Sequence, residues 1–170
     1  MYRRLLKLAL PEQKSAFLWG ARQTGKSTYL KSHFPKAISY DLLKSDLHWR
    51  LTKNPHFLRE EVLALTQTQL QQPIIIDEIQ KIPALLDEVH WLIENAHAQF
   101  ILCGSSARKL RRLGTNLLGG RALRYHFYPL TYTEIPNFNL LTALNNGLLP
   151  LHYQSKQATL LLESYVIDYL

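Results

Sequence analysis

The 170-residue chain has a single cysteine, Cys103. No intramolecular disulfide framework can therefore staple it, and the count fits a reducing compartment. No apolar run approaches the about 18 residues that a membrane helix requires. The opening "MYRRLLKLALPEQK" has a basic flank, but Lys7 and Pro11 interrupt its apolar run, which is too short for a signal peptide. These absences predict a soluble cytoplasmic protein with no membrane partner. Internal repeats and low-complexity tracts are absent as well. Hydrophobic residues make up 46% of the chain, which excludes wholesale disorder and supplies a sizeable core. The length suits one domain, or one domain and the start of another.

Acidic residues are missing from one long window. After Glu94 the next is Glu134, while Arg108, Lys109, Arg111, Arg112, Arg121 and Arg124 fall between them. The formal net charge is +7. A basic window of this kind is a solvated helix face, or a contact for nucleic acid or bound phosphates. No helix-turn-helix or other recognition motif accompanies it.

Hydrophobic patterning gives an alternating architecture. "KSAFLWG" (14–20) reads as a buried strand, and "TGKSTYLKSHF" as a helix stopped by Pro35. "AISYDL" (37–42) is a second strand. Residues 43–71 have helical spacing interrupted near Asn54-Pro55. "PIIID" (73–77) is a β-branched core strand, and "PALLDEVHWLIENAHA" an amphipathic helix. "QFILCGS" (99–105) is a fourth strand, "ARKLRRL" a short helix, and "ALRYHFYPL" (122–130) a fifth strand. Such alternation predicts a parallel sheet of about five strands covered on both faces, a three-layer α/β/α fold. The core is complete by about residue 135. Residues 136–170 form a leucine-rich helical extension with a turn at Asn145-Asn146-Gly147.

"GARQTGKS" (20–27) matches G-x-x-x-x-G-K-[ST] between a predicted strand and a predicted helix. Gly25 permits a backbone geometry that a side chain would obstruct, so successive amides can face inward and cradle phosphate oxygens. The helix start adds its partial positive charge. Lys26 can reach the β- and γ-phosphates, and the Ser27 hydroxyl is placed to ligate Mg²⁺. Arg22, inside the loop, contacts phosphate or faces solvent.

"IIIDE" puts Asp77 and Glu78 at the carboxyl end of a core strand, where parallel sheets bind ligands. Asp77 can hold Mg²⁺ through water, and Glu78 can polarise a water for in-line attack on the γ-phosphate. No N-K-x-D guanine-reading motif is present. ATPases with a catalytic glutamate insert an additional strand between the phosphate-loop and acidic strands, with a polar residue at its tip. Ser105 is the candidate for that residue, and Ser106 the second. Ser106 can equally cap the helix that follows. "CGSSAR" lacks the second glycine of G-x-S-x-G, which excludes a serine-hydrolase elbow. Arg121 directly precedes the fifth strand. It is either a finger for a neighbouring subunit's nucleotide or a surface arginine. Tyr2 and Arg3 are weak candidates to flank the base. His90 and His97 share a helix face without a third ligand, so no further metal site is expected.

"LWGARQTGKSTYL", "IIIDEIQKIPALLDEVHWLIE", "FILCGSSARKL" and "GRALRYHFYPLTYTEI" together resemble the AAA-type P-loop ATPase domain of a prokaryotic family. Its members are known only as ATP-binding proteins and carry a C-terminal domain of unknown function. The resemblance covers residues 1–135, and "GLLP" through "LLESYVIDYL" more weakly. It implies a nucleotide site at Gly20, Ala21, Arg22, Gln23, Thr24, Gly25, Lys26, Ser27 and Thr28. It further implies Mg²⁺ on Ser27 and Asp77, water activation by Glu78, Ser105 at the sensor position and Arg121 at a glycine-arginine step. Relatives continue beyond the segment resembling "LESYVIDYL", so this chain is expected to end near the start of their C-terminal domain. Leu160, Leu161, Leu162, Tyr165 and Ile167 would then lack an obvious cover.

The function expected from these readings is Mg²⁺-dependent ATP binding and hydrolysis that switches conformation or the binding of an unknown protein partner. A homo-oligomer through the Arg121 face follows if that arginine acts between subunits. Two alternatives stand beside it. One is a non-hydrolysing nucleotide-binding interaction module. The other is a nucleic-acid-associated ATPase using the basic 108–124 window.

Overall fold

A computed structural model describes residues 2–11, 14–106, 110 and 118–169. The chain divides into two compact units. The larger comprises Leu8–Gly20 and Lys26–His126; the smaller comprises Met1–Lys7, Ala21–Gly25 and Phe127–Leu170.

The larger unit is an α/β body. Its described elements are β1 (Ser15–Trp19), α1 (Lys26–His33), β2 (Ser39–Asp41), α2 (Ser45–Lys53), α3 (His56–Leu63), α4 (Gln67–Leu70), β3 (Ile74–Asp77), α5 (Leu85–Ala96), β4 (Phe100–Gly104) and β5 (Ala122–His126). All strand pairs are parallel, in the order β2-β3-β4-β1-β5. The expected five-stranded parallel sheet with flanking helices is therefore present. β4 occupies the place of the additional strand, between β1 and β3.

The residue types explain the strand positions. Every residue of β1 and β4 is buried, as strands covered on both faces must be. β2 has three residues and β5 is largely exposed, so both suit the sheet edges they occupy. β5 stops at His126, short of the expected Leu130. Phe127 and Leu130 are buried, but with the smaller unit, and Pro129 has no amide to donate to a ladder.

The helices follow their sequence signals closely. Asn54 closes α2 with its amide on the Arg50 carbonyl at 3.0 Å, and Pro55 then starts α3. Thr66 and Gln69 form a reciprocal capping box on α4. α5 buries Leu85, Leu86, Val89, Leu92 and Ile93, one stripe at helical spacing. These residues join Phe17, Leu51, Leu58, Ile74, Ile76, Phe100 and Leu102 in the main core.

The described α-helices of the smaller unit are α6 (Leu140–Asn146), α7 (Pro150–Tyr153) and α8 (Ala158–Tyr169). The Asn139 side chain caps α6 by accepting from the Thr142 amide at 2.9 Å. Proline opens α7 at a position where its missing donor costs nothing. The anchor of the unit is a buried ion pair. Arg4 Nε lies 3.1 Å from Glu134 Oε1, with both side chains under a tenth exposed. Burial pushes the Glu134 carboxyl up. Hydrogen bonds from the Leu5 and Thr131 amides and from Arg4 outweigh that and hold it below the usual range. Leu140, Leu141, Leu144, Leu160 and Ile167 are exposed, and Leu161 is partly so. No helix among the described residues is long and apolar enough to cross a membrane.

The buried stripe of α5 sets a clear contrast in stability. Leu92→Ala should cost about 2–5 kcal/mol through lost transfer energy and a residual cavity. Leu43→Ala, at a side chain 64% exposed, should stay within about 0.5 kcal/mol. Denaturant unfolding of both variants checks the pair.

Candidate functional site

The sheet order gathers the carboxyl ends of β3, β4 and β1 side by side. Trp19 pairs with Gly104, and Ile76 with Leu102, so the residues that follow these strands emerge along one edge. The Gly20 amide donates to the Gly104 carbonyl at 3.2 Å. The chain leaves β1 toward β2 on one side, while the connection from β4 reaches β5 on the other. Such a reversal of strand order is where open parallel sheets take their ligands.

The loop from Gly20 to Thr28 follows β1 and opens α1. Gly25 has φ +94°, a conformation in which a side chain is strained, although a Cβ there would meet nothing closer than 3.9 Å. The glycine is needed for its backbone angle rather than for space. Gln23 is left-handed without being glycine, at φ 61°. The Thr24 hydroxyl donates to the Ala21 carbonyl at 2.9 Å and closes the turn. Lys26 is buried at the first position of α1, and its Nζ donates to the Gly20 carbonyl at 2.7 Å. The ammonium is thereby folded across the root of the loop.

Ser27 and Asp77 are brought together from 50 residues apart: the hydroxyl donates to Oδ2 at 2.9 Å. Oδ1 of Asp77 accepts the Glu78 amide at 3.1 Å. Glu78 is itself left-handed, at φ 60° and ψ 40°. A non-glycine residue held there stores strain of a kind that concentrates at functional sites. Its carboxylate accepts from Gln80 Nε2, and the same Nε2 lies 3.4 Å from Ser105 Oγ. Behind this row sits Cys103, fully buried. Burial pushes its thiol well up, with Asp77 adding to the effect.

Gly20, Lys26, Ser27, Asp77, Glu78 and Ser105 thus share one edge of the sheet unit. Ala21–Gly25 belongs to the smaller unit, within which its residues make contacts. Arg4 Nη1 donates to the Thr24 carbonyl at 2.7 Å, His152 Nε2 meets Gln23 Oε1 at 3.0 Å, and the Tyr165 hydroxyl donates to the Arg22 carbonyl at 3.4 Å. Thr28 is exposed on α1.

Arg121 is not brought to this edge in its own chain. It flanks the amino end of β5, where its carbonyl accepts the Ser15 amide, a strand length from Gly20. Its guanidinium pairs with Glu94, and that salt bridge with the arginine holds the Glu94 carboxyl below the usual range. Arg124 is exposed on β5. Arg108, Lys109, Arg111 and Arg112 lie outside the described residues, as does most of the helix that Ser106 would cap. Tyr2 lines a cavity of about 300 Å³ with Ile135, Pro136, Tyr153 and Gln154, and Arg3 does not. Among the described residues no group of three His, Cys, Asp or Glu could hold a metal ion.

Three polar residues of these contacts escaped the sequence reading. Gln80 follows the acidic pair by two positions, and that spacing was the only signal. Arg4 and His152 reach the loop from more than a hundred positions away or from the chain's opening, with nothing local to mark them. The donor set suits a Mg²⁺-bound nucleoside phosphate. Ser27 and Asp77 offer adjacent hard oxygens, and a buried ammonium stands at the phosphate loop.

A family model described as AAA domain matches residues 12–136. No curated protein sequence matches the chain. Among solved structures, the crystal structure of Pif1 helicase from Candida albicans is similar at 15% sequence identity and a TM-score of 0.39. The match covers 76% of this chain and 42% of that one, so the chain spans less than half of that protein.

The geometry at the tip of β4 makes one position intolerant. A Cβ on Gly104 would lie 2.1 Å from Gln80 Oε1 and 2.6 Å from Trp19 Cζ3. Gly104→Ala should cost about 1–3 kcal/mol by overpacking. Thermal unfolding measures that cost, and the Trp19 fluorescence envelope should change with it.

Proposed function

Because the chain belongs to the AAA domain family, we propose that it binds ATP with Mg²⁺ at Gly20–Thr28 and hydrolyses it to drive a change of conformation or partner binding. The observation that carries this reading is the contact of Ser27 with Asp77 at 2.9 Å, with Glu78 next in the chain. A hydroxyl, a carboxylate and a second carboxylate in that order suit metal ligation and water activation at one phosphate.

Each side chain has a separable task. Backbone amides of the loop and of the first turn of α1 would cradle the phosphate oxygens. Lys26 exchanges its Gly20 carbonyl for phosphate oxygen and neutralises charge there. Ser27 and Asp77 would hold Mg²⁺, which would supply charge that neutralises the phosphate oxygens. Glu78 takes a proton from the attacking water as its oxygen bonds to the γ-phosphorus, the β–γ bridging P–O bond breaks, and ADP and phosphate leave. Ser105 stands at the tip of the strand between, in reach of the same region through Gln80. The absence of N-K-x-D supports adenine over guanine.

Two substitutions test the parts separately. Lys26→Ala should abolish tight Mg·ATP binding in a calorimetric titration, and unchanged affinity would remove the phosphate-loop assignment. Glu78→Gln should bind as the parent does while phosphate release falls by about 10²–10⁴-fold, the usual cost of losing a general base. Tight binding by a parent chain that releases no phosphate would instead establish the non-hydrolysing interaction module.

A further inference from the structure

Gln80 stands between the two residues that hydrolysis would use, and the reading above gives it no task of its own. We propose that Gln80 is a positioning residue for hydrolysis, its side-chain amide coupling the Glu78 carboxylate to Ser105 at the tip of β4. The inference rests on the ATPase reading of the same site and adds a residue to it.

Three independent features of the fold support the assignment. Gln80 is a polar side chain only 7% exposed, in the short 3₁₀ turn Ile79–Lys81 that follows the acidic pair. Burying an amide is costly unless it makes bonds, and its Nε2 is directed at both Glu78 Oε2 and Ser105 Oγ. Second, the space for it is made by the missing side chain of Gly104, where a Cβ would fall 2.1 Å from Gln80 Oε1. Third, Glu78 is held in the left-handed region. That backbone turn brings the side chain two residues on back beside the carboxylate.

The chemistry fixes which way the amide faces. An ionised carboxylate is an acceptor only, so it must meet the NH₂ end. Reversing the amide would set an oxygen against the Glu78 carboxylate and lose that bond, while the Ser105 hydroxyl, which can donate as well as accept, does not decide the orientation. Oε1 consequently packs against Gly104, with no hydrogen-bond partner among the described residues. An amide whose oxygen has no partner among the described residues, while its NH₂ end faces a carboxylate and a hydroxyl, is placed for orientation. Fixed hydrogen bonds restrict the rotamers of the base, and misplacement of a reacting group by about 1 Å can cost 10²-fold in rate.

The test uses Gln80→Ala and Gln80→Met, the second filling the space beside Trp19 and Gly104 without an N–H. Steady-state phosphate release, equilibrium binding of a non-hydrolysable Mg²⁺–ATP analogue and thermal midpoint are measured for each. Turnover should fall by about 10–100-fold in both, with analogue affinity unchanged. Ser105→Ala should cost less in the Gln80→Met background than in the parent, because the coupling is already lost. Turnover at or above the parental rate in Gln80→Met overturns the inference, as does full multiplicativity with Ser105→Ala. If the parent hydrolyses ATP and Glu78→Gln does not, such a result leaves the ATPase reading standing. A parent without phosphate release overturns both.

Discussion

The hydrogen bond from the Gly20 amide to the Gly104 carbonyl pins the root of the Gly20–Thr28 loop to the tip of β4. It extends the β1–β4 ladder by one step beyond the Trp19–Gly104 pair. That step sets the level at which the loop begins, and Lys26 then folds back to the carbonyl of the same Gly20. On the other side of β4, the ladder to β3 sets the level of Asp77 and Glu78. Two ladders sharing one central strand therefore place a cation, a hydroxyl and two carboxylates along a single edge. A slip in either would separate them.

Close packing at that edge constrains the residue types as strongly as any ligand would. Trp19 and Gln80 both occupy the space that a Cβ on Gly104 would need. One supplies apolar burial and the other an amide, and only glycine admits both. Stability and the alignment of polar groups are thus linked at one position, so changes there act on each together.

Much of this was legible from residue patterns. Continuous apolar runs identified β1, β3 and β4 because strands covered on both faces have no polar side. The glycine, lysine and serine of the loop stood out because each meets a different physical demand at a fixed offset. The placement of β4 between β1 and β3 was expected from the acidic pair and is the order observed. Other features left no local trace. The Arg4–Glu134 pair spans 130 positions, and only folding makes it a pair. The end of β5 is hidden from the pattern because Phe127 and Leu130 have the look of strand residues while they belong to the smaller unit. The place of Arg121 before a strand says nothing of its partner; its pairing with Glu94 depends on where α5 ends, which periodicity does not give.

Cys103 gives the sheet a chemical clock. It is the sole thiol, and it sits in the central strand between the loop strand and the acidic strand. Its full burial keeps reagents out and suppresses the thiolate, the form that reacts. Alkylation under native conditions therefore has to wait for the sheet to open. The labelling rate counts those openings at the strand that carries both ladders, with no mutation introduced. A molecule seated on the loop and on Asp77 would slow the count by the amount of free energy it lends to the closed form.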